Sequence, residues 1–411
     1  MSGSSHPQPS SLDDAVRERT RSQVRIIVEA LGDGSVGVAT GDSDDPADFI
    51  YLYRKKSLLV RDPDVDKVLA ALGRLGQGAE VSDNLVNGLT RLAWSGDGTV
   101  PDVLERLDLA VGVGVATPDH VLYVTNRCCP ATEPEEPSTM QPFPPVSLDP
   151  SDGSGVLVSV VDTGWHPAAA TDPVTPWLAD VVGDPEVFDA NDIRAYAGHG
   201  TFVAGVVRGA APKAEVRVEG FLPNGGAVFE SDMTAQLCQA MSLGPDVISL
   251  SAGATSRGNR PILSFEVFWD KFLSQVKGTV LVAAAGNDHT RVPFWPAAFP
   301  WTISVGAMDA HGRRADFTNF GSWVDVYALG VDMVNAYPHG TFITREATTP
   351  AGEERHFEGL ARWSGTSFST PRVAGLIAAE MSRTGLSARL AADQLLARAR
   401  AQAVPGVGPW L

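Results

Sequence analysis

The stretch VLVSVVDTG, residues 156–164, constrains the fold more than any other part of this chain. It is almost continuously apolar and rich in valine, the pattern of a strand buried on both faces of a parallel sheet. VRVEGF (216–221), DVISLS (246–251), TVLVAAAG (279–286) and TISVGA (302–307) repeat it. Between and after them, TAQLCQAMSL, FEVFWDKFLSQV and STPRVAGLIAAEM read as helices. This alternation predicts an α/β unit, a doubly wound, mostly parallel sheet with helices on both faces. In such sheets functional groups gather beyond the carboxyl ends of the strands. Asp162 and Asn287 stand at such ends.

A chain of 411 residues has room for a second unit. From Cys128 to Asp152 the sequence is proline-rich, acidic and without period, the signature of an extended connector. The expected organisation is a disordered segment over 1–22, a small α+β unit over 23–126, a linker over 127–152, the α/β unit over 153–402 and a tail over 403–411. In the first unit Gln23–Leu31 and Phe49–Tyr53 look like strands, as do SLLVRD, LTRLAW and HVLYVT. Asp62 and Pro63 open a helix whose Val65, Val68, Leu69 and Leu72 share one face, and TVPDVLERLDLAV makes a second. The order is close to βαββαβ, a ferredoxin-like arrangement, and holds no catalytic constellation.

The formal net charge is −17, which disfavours binding to nucleic acid or to an anionic membrane surface. The polar N-terminus lacks a secretory signal, and no segment is apolar enough to span a bilayer, so a cytoplasmic location is expected. Cys128, Cys129 and Cys238 are too few and too badly spaced for a disulfide framework or a zinc site. Cys238 reads as a small buried residue, and no metal or cofactor is expected.

The chemistry is expected in four segments. They are VVDTG with Asp162, GHGTFVAG with His199, AAAGN with Asn287 and GTSFSTP with Ser367. A serine hydroxyl becomes a nucleophile only with a base, a group that orients the base, and donors for the oxyanion. Taken singly, each residue is better read as a turn or loop former. Together, in the order Asp, His, Ser, they suggest a catalytic set. The other histidines, among them His166, His289, His311 and His356, lack such a context.

These segments, with GAAPKAEV, VISLSAG, FPWTISVGA and FTNFGSWVDVYALG, resemble the signature segments of the subtilisin-like serine peptidases over roughly residues 155–400. The resemblance implies a serine endopeptidase acting on peptide or protein substrates through an acyl-enzyme. Ser367, rather than Ser364 or Ser369, would be the nucleophile, His199 the base and Asp162 its orienting partner. Asn287 would supply the oxyanion donor together with the Ser367 N–H. Pro371 is expected in the first helical turn, where its missing N–H costs nothing. Ser251, Ala252 and Gly253 would pair with an extended substrate, and with Ala284, Ala285 and Gly286 would border a roomy pocket for a large apolar side chain.

The pattern has departures. The connection VVRG is too short for the loop that often binds calcium in relatives, Phe202 stands where a second histidine is frequent, and Leu329 replaces a frequent proline. A long segment over 338–362 precedes the nucleophile. It would border the cleft or form a plain surface hairpin, with the hairpin preferred. The N-terminal unit resembles in element order the propeptides of secreted relatives, so docking on the catalytic domain as an inhibitor is one expectation and partner recognition the other. An α/β-hydrolase esterase is excluded, because G-x-S-x-G is absent and the serine comes last. A catalytically silent binding protein on the same fold is the remaining alternative, beside a narrow processing peptidase.

Overall fold

The computed structural model describes residues 12–124, 133–138, 147–222, 225–345 and 352–411. Cys128, Cys129, much of the linker and the first eleven residues of the N-terminal segment lie outside them. The N-terminal unit runs α1 (Leu12–Leu31), β1 (Val36–Ala39), β2 (Tyr51–Arg61), α2 (Val65–Arg74), β3 (Ala79–Val86), β4 (Leu89–Trp94), α3 (Val100–Val111) and β5 (Ala116–Tyr123). From β2 to β5 this is βαββαβ. Val68 and Leu72 of α2 and Val103 and Leu107 of α3 pack on Leu58, Val60 and Leu92. A capping box between Thr99 and Asp102 starts α3.

Two expectations fail here. Residues 12–22 are helical, and Gln23–Leu31 is the last part of the same helix rather than a strand. Val24, Ile27, Val28 and Leu31 fall at helical spacing, and this face packs beside Val36, Phe49 and Leu52. The polar side carries Arg17 and Arg21, which pair with Asp45 and Asp48. The two strands expected at Phe49–Tyr53 and Ser57–Asp62 are one strand, β2, with a register shift against β5 between Tyr53 and Leu58.

The second unit continues with β6 (Leu157–Asp162), β7 (Val182–Gly183), α4 (His199–Ala210), β8 (Glu215–Gly220), β9 (Ala227–Phe229), α5 (Glu230–Ala240), β10 (Val247–Leu250), α6 (Leu263–Lys271), β11 (Val280–Ala284) and β12 (Thr302–Met308). It ends with β13 (Val326–Leu329), β14 (Met333–Ala336), β15 (Gly340–Ile343), β16 (Glu354–Phe357), β17 (Leu360–Trp363), α7 (Thr366–Thr384) and α8 (Ala388–Ala401). Seven strands form a parallel sheet in the order β13-β12-β11-β10-β6-β8-β7. Val158 and Val160 of β6 face a core closed by α4, α7 and α8. Val161, with Ile248 and Leu250 of β10, faces the core under α5 and α6. Both faces are therefore covered, which is why these strands are apolar at nearly every position. The order reverses between β6 and β10, and the carboxyl ends at that switch point carry Asp162 and Ser251.

The two units share structure. Strand β9 pairs antiparallel with β5 and becomes the edge strand of the N-terminal sheet. On the other side Tyr123 exchanges two hydrogen bonds with Gly253, at 2.9 and 3.1 Å, and the Val124 N–H donates to the Gly226 carbonyl at 2.8 Å. Residues 121–124 thus lie as a strand between two edges of the second unit. Leu59 and Leu89 of the N-terminal sheet pack on Leu263 and Val267 of α6. Another cluster joins Val24, Ile27, Phe49 and Tyr123 to Ala227, Phe229 and Phe294. No helix among the described residues is long and apolar enough to cross a membrane.

Candidate active site

His199 opens α4, and its Nδ1 lies 2.7 Å from Oδ1 of Asp162, the last residue of β6. Helix and strand meet closely because residue 200 is glycine. A Cβ there would stand 2.1 Å from the Gly164 carbonyl oxygen. The Thr163 N–H donates to the same Asp162 oxygen at 2.8 Å. Trp363 stands edge-on to the imidazole at 5.3 Å, and Phe368 flanks it at the same distance. Below the helix start, the Gly198 N–H donates to the Glu186 carboxylate at 2.7 Å. Burial pushes that carboxyl up to about 7, against the pull of the Gly198 N–H and Arg194.

Ser367 is the second residue of α7 and is buried. Its Oγ lies 3.5 Å from the Ser251 carbonyl, a weak contact, and no hydrogen bond joins it to His199. The structure therefore brings Asp162 and His199 together directly, with Ser367 next in the chain to Phe368, whose ring flanks the imidazole. Pro371 is not in the first turn as expected but inside the helix. Its missing N–H would have bonded the carbonyl four residues back, that of Ser367. The Ser251 hydroxyl donates to that carbonyl instead, at 2.9 Å. The proline thus ties the serine's backbone to the neighbouring strand end.

Asn287 is held by its carbonyl end. Oδ1 accepts from the Thr366 N–H at 2.9 Å and from the Thr366 hydroxyl at 2.8 Å. Its Nδ2 is the nearest atom, at 3.4 Å, to where a Cβ on Gly365 would sit, so the donor end faces the loop that carries Ser367. Asn319 braces the strand end from behind. It donates to the Ala285 carbonyl at 2.8 Å and accepts from the Asp288 and Thr290 N–H groups. Thr366 and Asn319 were not singled out from sequence, although both lie in segments that were. A threonine and an asparagine in a turn carry no local signal of the group they orient.

Among the expected substrate-contacting residues, Gly253 pairs with the N-terminal unit, at Tyr123. A Cβ there would collide with the Phe294 ring at 2.3 Å. Ser251 touches Ser367, Ala252 is buried, and Ala284 ends β11. Ala285 bonds the Val305 carbonyl and packs with Met308 and Tyr327. Gly286 donates to the Thr366 hydroxyl at 3.2 Å. The segment over 338–362 is not a plain surface hairpin. β15 and β16 pair, but Phe342 and Phe357 are buried in the main core. Among the described residues no group of three or more His, Cys, Asp or Glu is arranged to hold a metal ion. Cys238 is half-buried, and desolvation pushes its thiol up to about 12.

Residues 153–403 match the model of the subtilase family of peptidases. The thermophilic serine proteinase of Bacillus sp. (strain AK1) is 32% identical over 256 residues, covering 59% of this chain and 56% of that protein. The chain thus matches little more than half the length of that relative. Thermitase of Thermoactinomyces vulgaris is 31% identical over 257 residues, covering 59% of this chain and 81% of that protein. The crystal structure of fervidolysin from Fervidobacterium pennivorans, a keratinolytic enzyme related to subtilisin, superposes on 86% of this chain and 58% of its own. The TM-score is 0.57 at 19% identity, a likeness of fold. With the family's model matched across the whole parallel-sheet unit, the chain belongs to the subtilase family.

Proposed function

We propose that this chain is a serine endopeptidase whose N-terminal unit occupies its own substrate cleft. The observation that carries the reading is the strand 121–124, paired on one edge with β9 and on the other with Gly253, two residues from the Ser251 carbonyl that Ser367 touches. An extended substrate is recognised in this way, by main-chain hydrogen bonds that any sequence can make. Here the chain's own residues hold the position.

The Asp162 carboxylate accepts the Nδ1 proton of His199, which leaves Nε2 free to take the Ser367 proton. Rotation of the Ser367 side chain carries Oγ from the Ser251 carbonyl toward the imidazole. Attack on the substrate carbonyl forms a C–O bond and places negative charge on the former carbonyl oxygen. The Asn287 amide and the Ser367 N–H at the start of α7 are the donors that would serve that oxygen. The imidazolium then protonates the leaving amine, and water hydrolyses the acyl-enzyme by the same steps. Physiologically the enzyme acts on particular protein segments rather than in bulk degradation, because a whole domain must leave before a substrate enters. A fluorophosphonate probe applied to the chain freed of its N-terminal unit tests the chemistry. The label is expected on Ser367 and absent from Ser367→Ala. Undiminished labelling of the variant would overturn the assignment.

A further inference from the structure

Beyond the catalytic centre, in chain direction, the connector is held again. Glu135 pairs antiparallel with Arg362 of β17 through main-chain bonds of 2.9 and 2.8 Å, and its carboxylate meets the Arg362 guanidinium. The buried Glu133 accepts the Arg345 N–H at 2.7 Å. Glu136 accepts the His356 N–H at 2.7 Å, and Arg355 donates to the Pro134 carbonyl at 2.8 Å. Trp363, next to Arg362, flanks His199. This cradle is built by the described parts of the insertion, residues 338–345 and 352–362, together with the end of β17.

We propose that the cradle is a recognition site for acidic, extended polypeptide on the C-terminal side of the bond to be cut, and that the connector is its first occupant. The inference rests on the peptidase reading. Three features separate such a site from a mere tether. Its frame is fixed without the connector, since Phe342 and Phe357 are buried and β15 bonds Ala190 and Ile193. Its contacts divide into sequence-blind ones, to the main chain of Glu135 and the carbonyl of Pro134, and side-chain-reading ones, an ion pair to Glu135 and main-chain N–H donors to the carboxylates of Glu133 and Glu136. Finally, departure of the connector leaves Arg345 and Arg362 paired and takes a partner only from the half-exposed Arg355. Arg362 keeps Asp332 at 3.1 Å and Arg345 keeps Asp192 at 2.7 Å, so the vacated cradle stays in place for another ligand. The prolines of TEPEEPS, residues 132–138, favour an extended main chain in the occupant.

The test uses quenched peptides copying residues 121–138, with serine at 128 and 129. The first keeps Glu133, Glu135 and Glu136, the second has glutamine there and the third lysine. The expected kcat/KM for the acidic peptide exceeds that for the glutamine peptide by about fivefold, the scale of one part-exposed ion pair, that of Glu135 with Arg362. Arg362→Glu is expected to erase the preference and to favour the lysine peptide. Should that variant not fold, Arg355→Gln is expected to lower kcat/KM for acidic and glutamine peptides alike, because Arg355 reads only a carbonyl. A second arm needs no catalysis. Fluorescence anisotropy follows labelled TEPEEPS on the Ser367→Ala chain whose Glu133, Glu135 and Glu136 are glutamine. Acidic binding without cleavage of any peptide would keep the cradle and sink the peptidase reading. Cleavage of all three peptides at equal rates, with no preferential binding of TEPEEPS, would sink the cradle and leave the peptidase standing.

Discussion

Replacing Tyr123 by alanine should open the cleft while both units stay folded. The ring is 2% exposed and stands edge-on to Phe49 and to Phe294, each at 6.1 Å. Phe49 belongs to the N-terminal unit and Phe294 to the peptidase unit, so the ring bridges a core that neither owns alone. Truncating a buried aromatic side chain costs about 3–5 kcal/mol. With the ring's neighbours divided between the units, about half of that, roughly 2 kcal/mol, falls on docking. At 1.4 kcal/mol per factor of ten, the open population should rise about thirtyfold. The main-chain bonds of Tyr123 to Gly253 and of Val124 to Gly226 do not involve the Tyr123 side chain and remain. Amide exchange in a Ser367→Ala background reads the change. Protection of the Gly253 and Val124 amides should fall by about that factor, with β11 and β12 unchanged. Protection that is unaltered at Gly253, or that falls equally in β11, would refute the bridging role.

Asn287→Ala should lower kcat by about 10²–10³ with little change in KM, the usual result of losing one oxyanion donor; steady-state kinetics on a short peptide checks it, and an unchanged kcat would remove Asn287 from the mechanism. Ser251→Ala leaves the Ser367 carbonyl unsatisfied and should cost about 1–3 kcal/mol of stability. Adding Pro371→Ala restores an N–H to that carbonyl and should recover part of the loss in a denaturation series, and a strictly additive double variant would contradict the pairing. Asp119 is buried between Arg54 and the start of α5, and burial pushes its carboxyl up to about 6. The folded chain therefore holds this proton more tightly than the unfolded one. The contribution favours the folded, docked chain at low pH and is lost as pH rises through about 6. Asp119→Asn in the Ser367→Ala chain should gain on its parent between pH 4 and 7 by up to about 3 kcal/mol, and a gap independent of pH in thermal melts would exclude this linkage.

The parallel sheet was legible because burial on both faces leaves no choice of side chain. Val158, Val160 and Val161 pack on opposite faces of one strand, and the sequence shows them as one apolar run. That Asp162 and Asn287 follow buried strands and that His199 and Ser367 stand at helix starts was legible from the apolar runs and glycines beside each. Helix α1 was not. Its β-branched stretch Val24–Val28 imitates a strand in a short window, and its polar first half imitates a disordered tail. The helical spacing of Val24, Ile27 and Leu31 was present and was outvoted. Strand β3 was missed because its exposed face breaks the alternation, although the Asn87-Gly88 pair is a hairpin signal. Pro371 was misplaced by about a turn, and its effect depends on Ser251, 120 residues away in the chain. The grip of Arg345, Arg355 and Arg362 on the connector has no local signature at all. It exists only once the insertion and the linker meet in space.

Intact mass of the purified chain tests the central claim most directly. If the N-terminal unit threads the cleft of an active peptidase, the wild type should be cut within the stretch between Val124, next to the residue paired with Gly253, and Glu133, held by Arg345. Ser367→Ala should then remain a single species of 43.4 kDa. A wild type that stays whole, or a Ser367→Ala chain cut at the same bond, would contradict the account.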